Sequence, residues 1–501
     1  MSFGDFEFLK DLGFVECDLE LEKSLQKSIQ RNLMQDPDPS FSLDMIPMPQ
    51  PHVDILSDQE AWQRLPAGAT GAGQPLPSWA RMLAGDLPRT TAALLELDLA
   101  QRTASSIPAG LRAAMRWVAA DTNRCAYSLA YAEADAIRSG VHPDRLLNLR
   151  QDGLPNWSQA DRAALQFART MSADSDAVTD DEFAALVQFH GERQAASMVL
   201  LMAYANFQDR LLLCLGATLE SAGPMPPLAV KFPANAFVAQ TTPPPPKTNP
   251  ASAEADATCS SRNREISELA TIEQPRSLTT SATGKPLADD PDWAADSYDV
   301  LQKRLEAQRG KPTRLRVPEW DDIVAGLPEG MHLHGDIIWY RIVFGYAPEL
   351  AVPFELVMRT AGAEGNQVWD RIFGQSLFWV TTKAVKCPYC MGHCEMNFEV
   401  AGLKPDEIAS RTRLLGSDDW SSFSAAEQQA FAFARKLSKT PWEVSQEDVH
   451  QLQQNFGPHL AMLVMLNSSR YHYMIRISNG FQLTLERTNV FYDYWRVPPR
   501  S

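Results

Sequence analysis

Lys386-Cys387-Pro388-Tyr389-Cys390-Met391-Gly392-His393-Cys394-Glu395 packs three of the chain's seven cysteines and one of its nine histidines into eight positions. Pro388 suits the first position of a helix, where its missing N–H costs nothing, so Cys387 reads as the N-cap and Cys390 as a first-turn residue. A sulfur there faces unpaired backbone N–H groups and the positive end of the helix dipole, which favours thiolate over thiol. Lys386 adds a neighbouring positive charge. Two cysteines with two residues between them at a helix start can make and break a disulfide with little backbone movement.

The same stretch, compared with the rest of the chain, shows that one helical unit occurs twice. Trp117-Val118 with Cys125-Ala126-Tyr127-Ser128 matches Trp379-Val380 with Cys387-Pro388-Tyr389-Cys390, 262 positions apart. Gly140 and Pro143-Asp144 match Gly402 and Pro405-Asp406 at the same spacing. Phe167-Ala168-Arg169 matches Phe433-Ala434-Arg435 at 266, as do Gly191 with Gly457 and Arg210 with Arg476, so four residues are inserted near 415–422. The first copy has Ser128, Tyr131 and Ala132 where the second has Cys390, His393 and Cys394. A serine forms no disulfide, so the first copy keeps the shape without the reaction.

The helix-forming patches recur across both copies with few candidates for strands, which predicts an all-α fold. The expected organisation is an N-terminal extension (1–75), a degenerate repeat (76–222), a proline-rich linker (223–312), a repeat carrying the cysteines (313–490) and a short tail (491–501). Residues 18–33 space Leu19, Leu21, Leu25, Ile29 and Leu33 as one amphipathic helix, and Pro243 to Pro246 marks the linker as extended. Arg193–Leu215 is long and apolar but carries Asn206, Gln208, Asp209 and Arg210, the pattern of a buried core helix.

At 501 residues the chain exceeds what one core usually serves. Its 62 acids outnumber 46 bases for a net charge of −16, which argues against nonspecific nucleic-acid binding. The start lacks the basic and apolar regions of a signal peptide, and no uninterrupted apolar run approaches roughly 18 residues. Seven cysteines are an odd and sparse count, and Cys17, Cys125, Cys214 and Cys259 are scattered, so no disulfide framework is expected but a reducing cytoplasmic setting with one specialised thiol site.

With its helix-opening Cys-x-x-Cys, the glycine after that helix, the Phe-Ala-Arg helix and a long last helix ending in Arg476, the sequence resembles the carboxymuconolactone decarboxylase / alkylhydroperoxidase D-like family over 76–222 and 313–490. The resemblance implies two tandem alkylhydroperoxidase D-like helical domains forming a pseudo-symmetric pair, and assembly into homo-oligomers. It also implies a second cysteine, Cys390, that attacks a hydroperoxide or disulfide while a glutamate and a histidine relay the proton. A protein or small thiol would then act as reductant. Two positions depart from the family pattern. Cys394 occupies the family's histidine position, with His393 one residue early, and Gln375 stands at the family's glutamate, matched by Ala113 in the first copy. Thiol–disulfide exchange is accordingly the firmer expectation than peroxidase activity.

Helix geometry bears on the roles. At 100° per residue His393 lies about 60° around the helix from Cys390 and can act as its base, whereas Cys394 starts too far from Cys390 at Cβ for a good disulfide. The candidate site is thus Cys390 as attacking thiol, Cys387 as its resolving partner, His393 as base, with Cys394 and Gln375 beside them. Glu395 is an outer acid, and His472 on the last helix is a second base candidate, with an ordinary packed residue between Tyr471 and Tyr473 as the reading that competes with it. Zinc is a competing use of Cys387, Cys390, His393 and Cys394, but four ligands on one short helix do not wrap a tetrahedron, so neither metal nor cofactor is expected. A redox-inert scaffold that binds a partner, and a lactone decarboxylase-type enzyme, are the alternatives to an oxidoreductase.

Overall fold

The computed structural model describes residues 50–492, apart from 152–153, 238–289, 291, 330, 334 and 366–367. The amphipathic segment 18–33, the Pro243–Pro246 run, Cys17 and Cys259 lie outside the described residues. Within them the fold is all-α, and the only β-pairing is an isolated bridge between Thr70 and Lys231. The first half runs α1 (Asp58–Arg64), α2 (Ser78–Leu83), α3 (Pro88–Thr103), α4 (Ala109–Thr122), α5 (Ala126–Arg138), α6 (Pro143–Leu147), α7 (Gln159–Ala173) and α8 (Asp180–Leu215). The second continues with α9 (Tyr298–Gly310), α10 (Trp320–Ala325), α11 (Ile338–Tyr346), α12 (Pro348–Gly365), α13 (Arg371–Ala384), α14 (Pro388–Val400), α15 (Pro405–Gly416), α16 (Ala425–Lys439) and α17 (Gln446–Gly480).

Local sequence explains where these helices start. Ser57, Thr179, Ser424 and Ser445 cap α1, α8, α16 and α17, each with an acid three residues on that returns a hydrogen bond to the cap. Such caps are worth about 1 kcal/mol each. Pro143 and Pro405 open α6 and α15 at a position that needs no N–H donor. Elements α4 to α8 recur as α13 to α17 in the same order, at the 262 and 266 spacings of the sequence match. The long helices break at the same place: Gly191 has φ 75° and ψ 162°, Gly457 has φ 74° and ψ 163°. Only glycine takes that backbone without strain, so each helix turns there and continues.

The two halves share one core. Helices α8 and α17 form the most extensive packing contact in the molecule, and α3 packs against α12 across the halves. Arg210 donates to the Ser438 carbonyl at 3.3 Å, and its counterpart Arg476 donates to the Ser172 carbonyl at 3.2 Å. Glu364 at the end of α12 accepts from the backbone N–H groups of Arg89 and Thr90 at 2.8 and 3.1 Å. It thereby supplies the N-terminal cap that Leu87 cannot give to α3. Among the described residues one helix, α8, is long and apolar enough to cross a membrane by length and composition, and 89% of its apolar window is buried within the protein.

The span 223–312 is not linker throughout. Residues 223–237 lie against the first half through the bridge at Lys231, while Trp293 and α9 pack on the second. The Trp293 indole donates to the Leu415 carbonyl at 3.0 Å, and Gln302 of α9 donates to Glu395 of α14 at 2.7 Å. Helix α9 therefore covers one side of the helix that carries the cysteines.

Candidate functional site

Cys387 caps α14 as its position before Pro388 dictates: the backbone is extended (φ −108°, ψ 92°) and the sulfur accepts from the Cys390 N–H at 3.2 Å. Lys386, one residue earlier, has φ 55°, and its ammonium reaches Asp174 of the first half at 3.3 Å. That charge is spent on Asp174, not on the thiols as the sequence reading had it. Arg124, at the matching place in the first copy, has φ 52° and lies 4.5 Å over the Trp442 ring of the second half. Both residues turn the chain into the cysteine helix and tie the halves together.

A cavity of about 520 Å³ opens over α14, walled by Trp339, Phe378 and Tyr389 among others. Cys390, His393 and Gln375 line it; Cys387 and Cys394 do not. Cys390 also donates to the Ser478 hydroxyl at 3.4 Å. Cys387 is fully buried beneath, within hydrogen-bonding reach of the Cys390 sulfur. Burial, reinforced by that sulfur, pushes the Cys387 thiol well above its usual value, so it holds its proton. Cys394 is likewise fully buried, and burial raises its thiol too. Gln375 presents a buried Oε1 with no hydrogen-bond partner among the described residues.

The residue that sequence reasoning missed is Glu486. It lies past the end of α17, and its Oε2 sits 2.7 Å from the His393 Nε2. Its other oxygen accepts from the Ile338 N–H at 3.0 Å and the Tyr389 hydroxyl at 3.1 Å. Burial raises the Glu486 carboxyl, but His393, with the Ile338 N–H adding, outweighs it and holds the group below the usual carboxylate range. An ionised carboxylate only accepts, so the imidazole turns Nε2–H to Glu486 and leaves Nδ1 on the other side of the ring. The ring is fixed between Tyr389 and Phe491, at centroid distances of 4.2 and 5.0 Å. The site therefore does have a carboxylate, supplied from a place other than position 375.

Gly392 makes room for the residue next to Glu486: a Cβ there would lie 2.5 Å from Leu485 Cδ2, so the Leu485 side chain rests on the backbone of α14. Position 220 of the first half is also glutamate, 266 before Glu486, and it too accepts from a helix-start N–H, Ser78, at 2.7 Å. Tyr127 and Tyr131 donate to it at 2.8 and 2.7 Å, at the places of Tyr389 and His393. A matched acid behind both copies was thus the available sequence signal.

His472, the second base candidate, is not in the cavity. It is fully buried between Ser438 (3.1 Å) and Arg476 (2.8 Å), and burial, with Arg210 and Arg476 adding, drives its pKa well below the usual value. It is a neutral structural residue at the junction of the halves. Glu395 faces Gln302 of α9, and burial raises it to about 7. Among the described residues no group of three or more histidine, cysteine and acidic side chains is placed to hold a metal ion.

No protein-family model matches the chain, and a search of curated proteins finds no match either.

Proposed function

We propose that the second half is a thiol-dependent oxidoreductase centre, with Cys390 as the attacking sulfur, Cys387 as resolving thiol, His393 as proton carrier and Glu486 as the residue that positions it. The observation that carries this reading is that Cys390, alone among the three sulfurs of α14, lines the cavity it shares with the Glu486-bound His393. A fully buried Cys387 waits directly behind.

In the proposed cycle, His393 Nδ1 takes the Cys390 proton and the thiolate attacks a disulfide entering the cavity. A Cys390–substrate disulfide forms, the substrate's S–S bond breaks, and the first product leaves as a thiol with that proton. Cys387 then gives up its proton and attacks Cys390, which releases the second product thiol and leaves a Cys387–Cys390 disulfide. A protein or small-thiol reductant restores both thiols and is itself oxidised to a disulfide. A hydroperoxide would enter the same cycle by transferring one oxygen to Cys390, leaving an alcohol. Cys387 would then condense with the sulfenic acid and release water. The first half, with Ser128 in place of the second cysteine, takes no part in this chemistry. We further propose that the halves are related by a pseudo-twofold axis, a reading supported by the reciprocal Arg210–Ser438 and Arg476–Ser172 contacts.

The test is a redox titration of wild type beside Cys390→Ser in glutathione buffers, read by thiol counting. The proposal expects two thiols to be lost reversibly as one couple in the wild type, and no such couple in the variant. Thiols that stay unchanged across the range would leave a redox-inert helical protein.

A further inference from the structure

The first half keeps a cavity in the place where the second half has its thiol. This one measures about 270 Å³ and is lined from α3, α4, α5 and α8 and by Met225 to Leu228. Ser128 and Tyr131 line it where Cys390 and His393 line the other. The hydroxyls of Tyr127 and Tyr131 are both committed to Glu220, and the two rings stack at 4.7 Å. Reactive groups are therefore gone, but the space is not filled.

Its walls are charged in a way the reactive cavity's counterparts do not require. Four guanidiniums (Arg102, Arg112, Arg116, Arg138) and two carboxylates (Asp98, Asp135) line it. Asp135 is bound in a fork by Arg102 at 2.8 and 2.9 Å and is also paired with Arg138. Asp98 lies 3.5 Å from Arg102 and accepts from Tyr204 and Gln208. Both carboxylates are thus engaged. Arg112 gives its hydrogen bonds to the carbonyls of Ser105, Ile107 and Arg102 and makes no ion pair within 4 Å among the described residues. Arg116 donates to Gln208 at 2.6 Å through Nη2, pairs with Asp209 at 3.7 Å and lies over the Tyr204 ring at 5.4 Å, while its buried Nη1 has no hydrogen-bond partner among the described residues.

A second observation is independent of that charge. Gln101 lines the cavity, is 1% exposed, and neither its amide nitrogen nor its amide oxygen has a hydrogen-bond partner among the described residues. A buried amide is not left unmatched without a cost in stability, and an unmatched buried amide and an unmatched guanidinium nitrogen on the wall of one cavity are what ligand oxygens would satisfy. Trp79, Leu95, Leu201 and Leu228 supply apolar wall for the remainder of such a molecule.

We propose that this cavity binds a small monocarboxylate with an aromatic or short aliphatic body, its carboxylate held by Arg116 and Gln101 with Arg112 adding positive field. The site is separate from the thiol centre and does not depend on that centre being active.

Isothermal titration calorimetry on the full chain tests it, with benzoate and hexanoate as probes and benzamide as the uncharged isostere of benzoate. The expected result is saturable one-site binding of at least one carboxylate, with benzamide much weaker. Gln101→Leu and Arg116→Gln should each weaken carboxylate binding by roughly tenfold or more, as loss of a hydrogen bond to a charged group does. Gln101→Leu replaces an unmatched amide with an apolar group of similar size and so keeps the fold, which leaves a clean answer if Arg116→Gln does not. Asn467→Ala, in the other cavity, should change nothing. Absence of saturable binding by both carboxylates, equal binding of benzamide, or unchanged affinity in Gln101→Leu overturns the proposal. Loss of binding in Asn467→Ala overturns it too, since the carboxylate would then occupy the thiol cavity.

Discussion

Replacing Glu486 by glutamine changes one atom of the site and has a calculable effect. The side chain is only about 10% exposed, and its carboxylate accepts from His393 at 2.7 Å, Tyr389 at 3.1 Å and Ile338 at 3.0 Å. A glutamine oxygen can keep the tyrosine and backbone donors, which share Oε1 in the wild type. Its NH₂ then faces the His393 Nε2, so donor meets donor unless the imidazole moves its proton to Nδ1. That tautomer removes the ring's proton acceptor, the same logic by which an orienting acid serves a catalytic histidine. Exchanging a charge-assisted hydrogen bond for a neutral one costs about 1–2 kcal/mol of stability. Loss of a correctly poised base costs roughly 10²-fold or more in rate. Single-turnover exchange with hydroxyethyl disulfide, followed by quenched-flow thiol counting, reads the rate; thermal denaturation reads the stability. The pH dependence adds a sign. Because the folded carboxyl lies below its unfolded value, the stabilisation it gives is fully present above the ordinary carboxylate range and is lost as pH falls through the depressed value. Glu486→Gln should lack that acid step. A folded Glu486→Gln protein with an unchanged exchange rate would refute the positioning role.

Three further outcomes follow from individual residues. Gly457→Ala should destabilise the protein by about 1–2 kcal/mol in denaturant titration, because alanine has no unstrained conformation at φ 74° even though nothing blocks its methyl group. Glu395→Gln should raise the melting temperature at pH 8 and leave it unchanged at pH 4. The folded carboxyl titrates at about 7, so its ionisation opposes folding from the unfolded value upward, by up to about 3 kcal/mol at pH 8. Cys394→Ala should leave exchange kinetics within about twofold while lowering stability by about 1–2 kcal/mol, since the sulfur fills core space and does not line the cavity.

What the sequence disclosed and what it withheld divide along the distance over which each signal acts. The all-α fold, the Cys387 cap and the opening by Pro388 were legible because capping is decided within four residues. Gly191 and Gly457 were legible as a matched pair, but not that each sits at the turn of one kinked helix. Glu486 was hidden because its partner His393 is 93 residues away and the contact depends on how a loop settles against Gly392. Lys386 misled because proximity in sequence said nothing of its direction: with φ 55° its side chain leaves toward Asp174 in the other half. For His472 the packed reading, not the base, is what the structure bears out. Its spacing from Arg476 placed it on the right helix but on the face turned to the junction of the halves, where Ser438 and two arginines enclose it. Helix α9 has legible helical patterning over 296–308 and fell inside the linker only because that span was drawn to 312; the helix buries only Leu301, Leu305 and Gln308.

The roles of the sulfurs are tested most directly by mass spectrometry of Cys387→Ser after brief exposure to hydroxyethyl disulfide, with peptide-level assignment of the adduct. With Cys390 as the attacking thiol and Cys387 as its resolving partner, the variant should accumulate one mixed disulfide, on Cys390, which the wild type passes on to a Cys387–Cys390 disulfide. An adduct on Cys394 with Cys390 left free, or no adduct on any cysteine of the folded protein, would contradict the account.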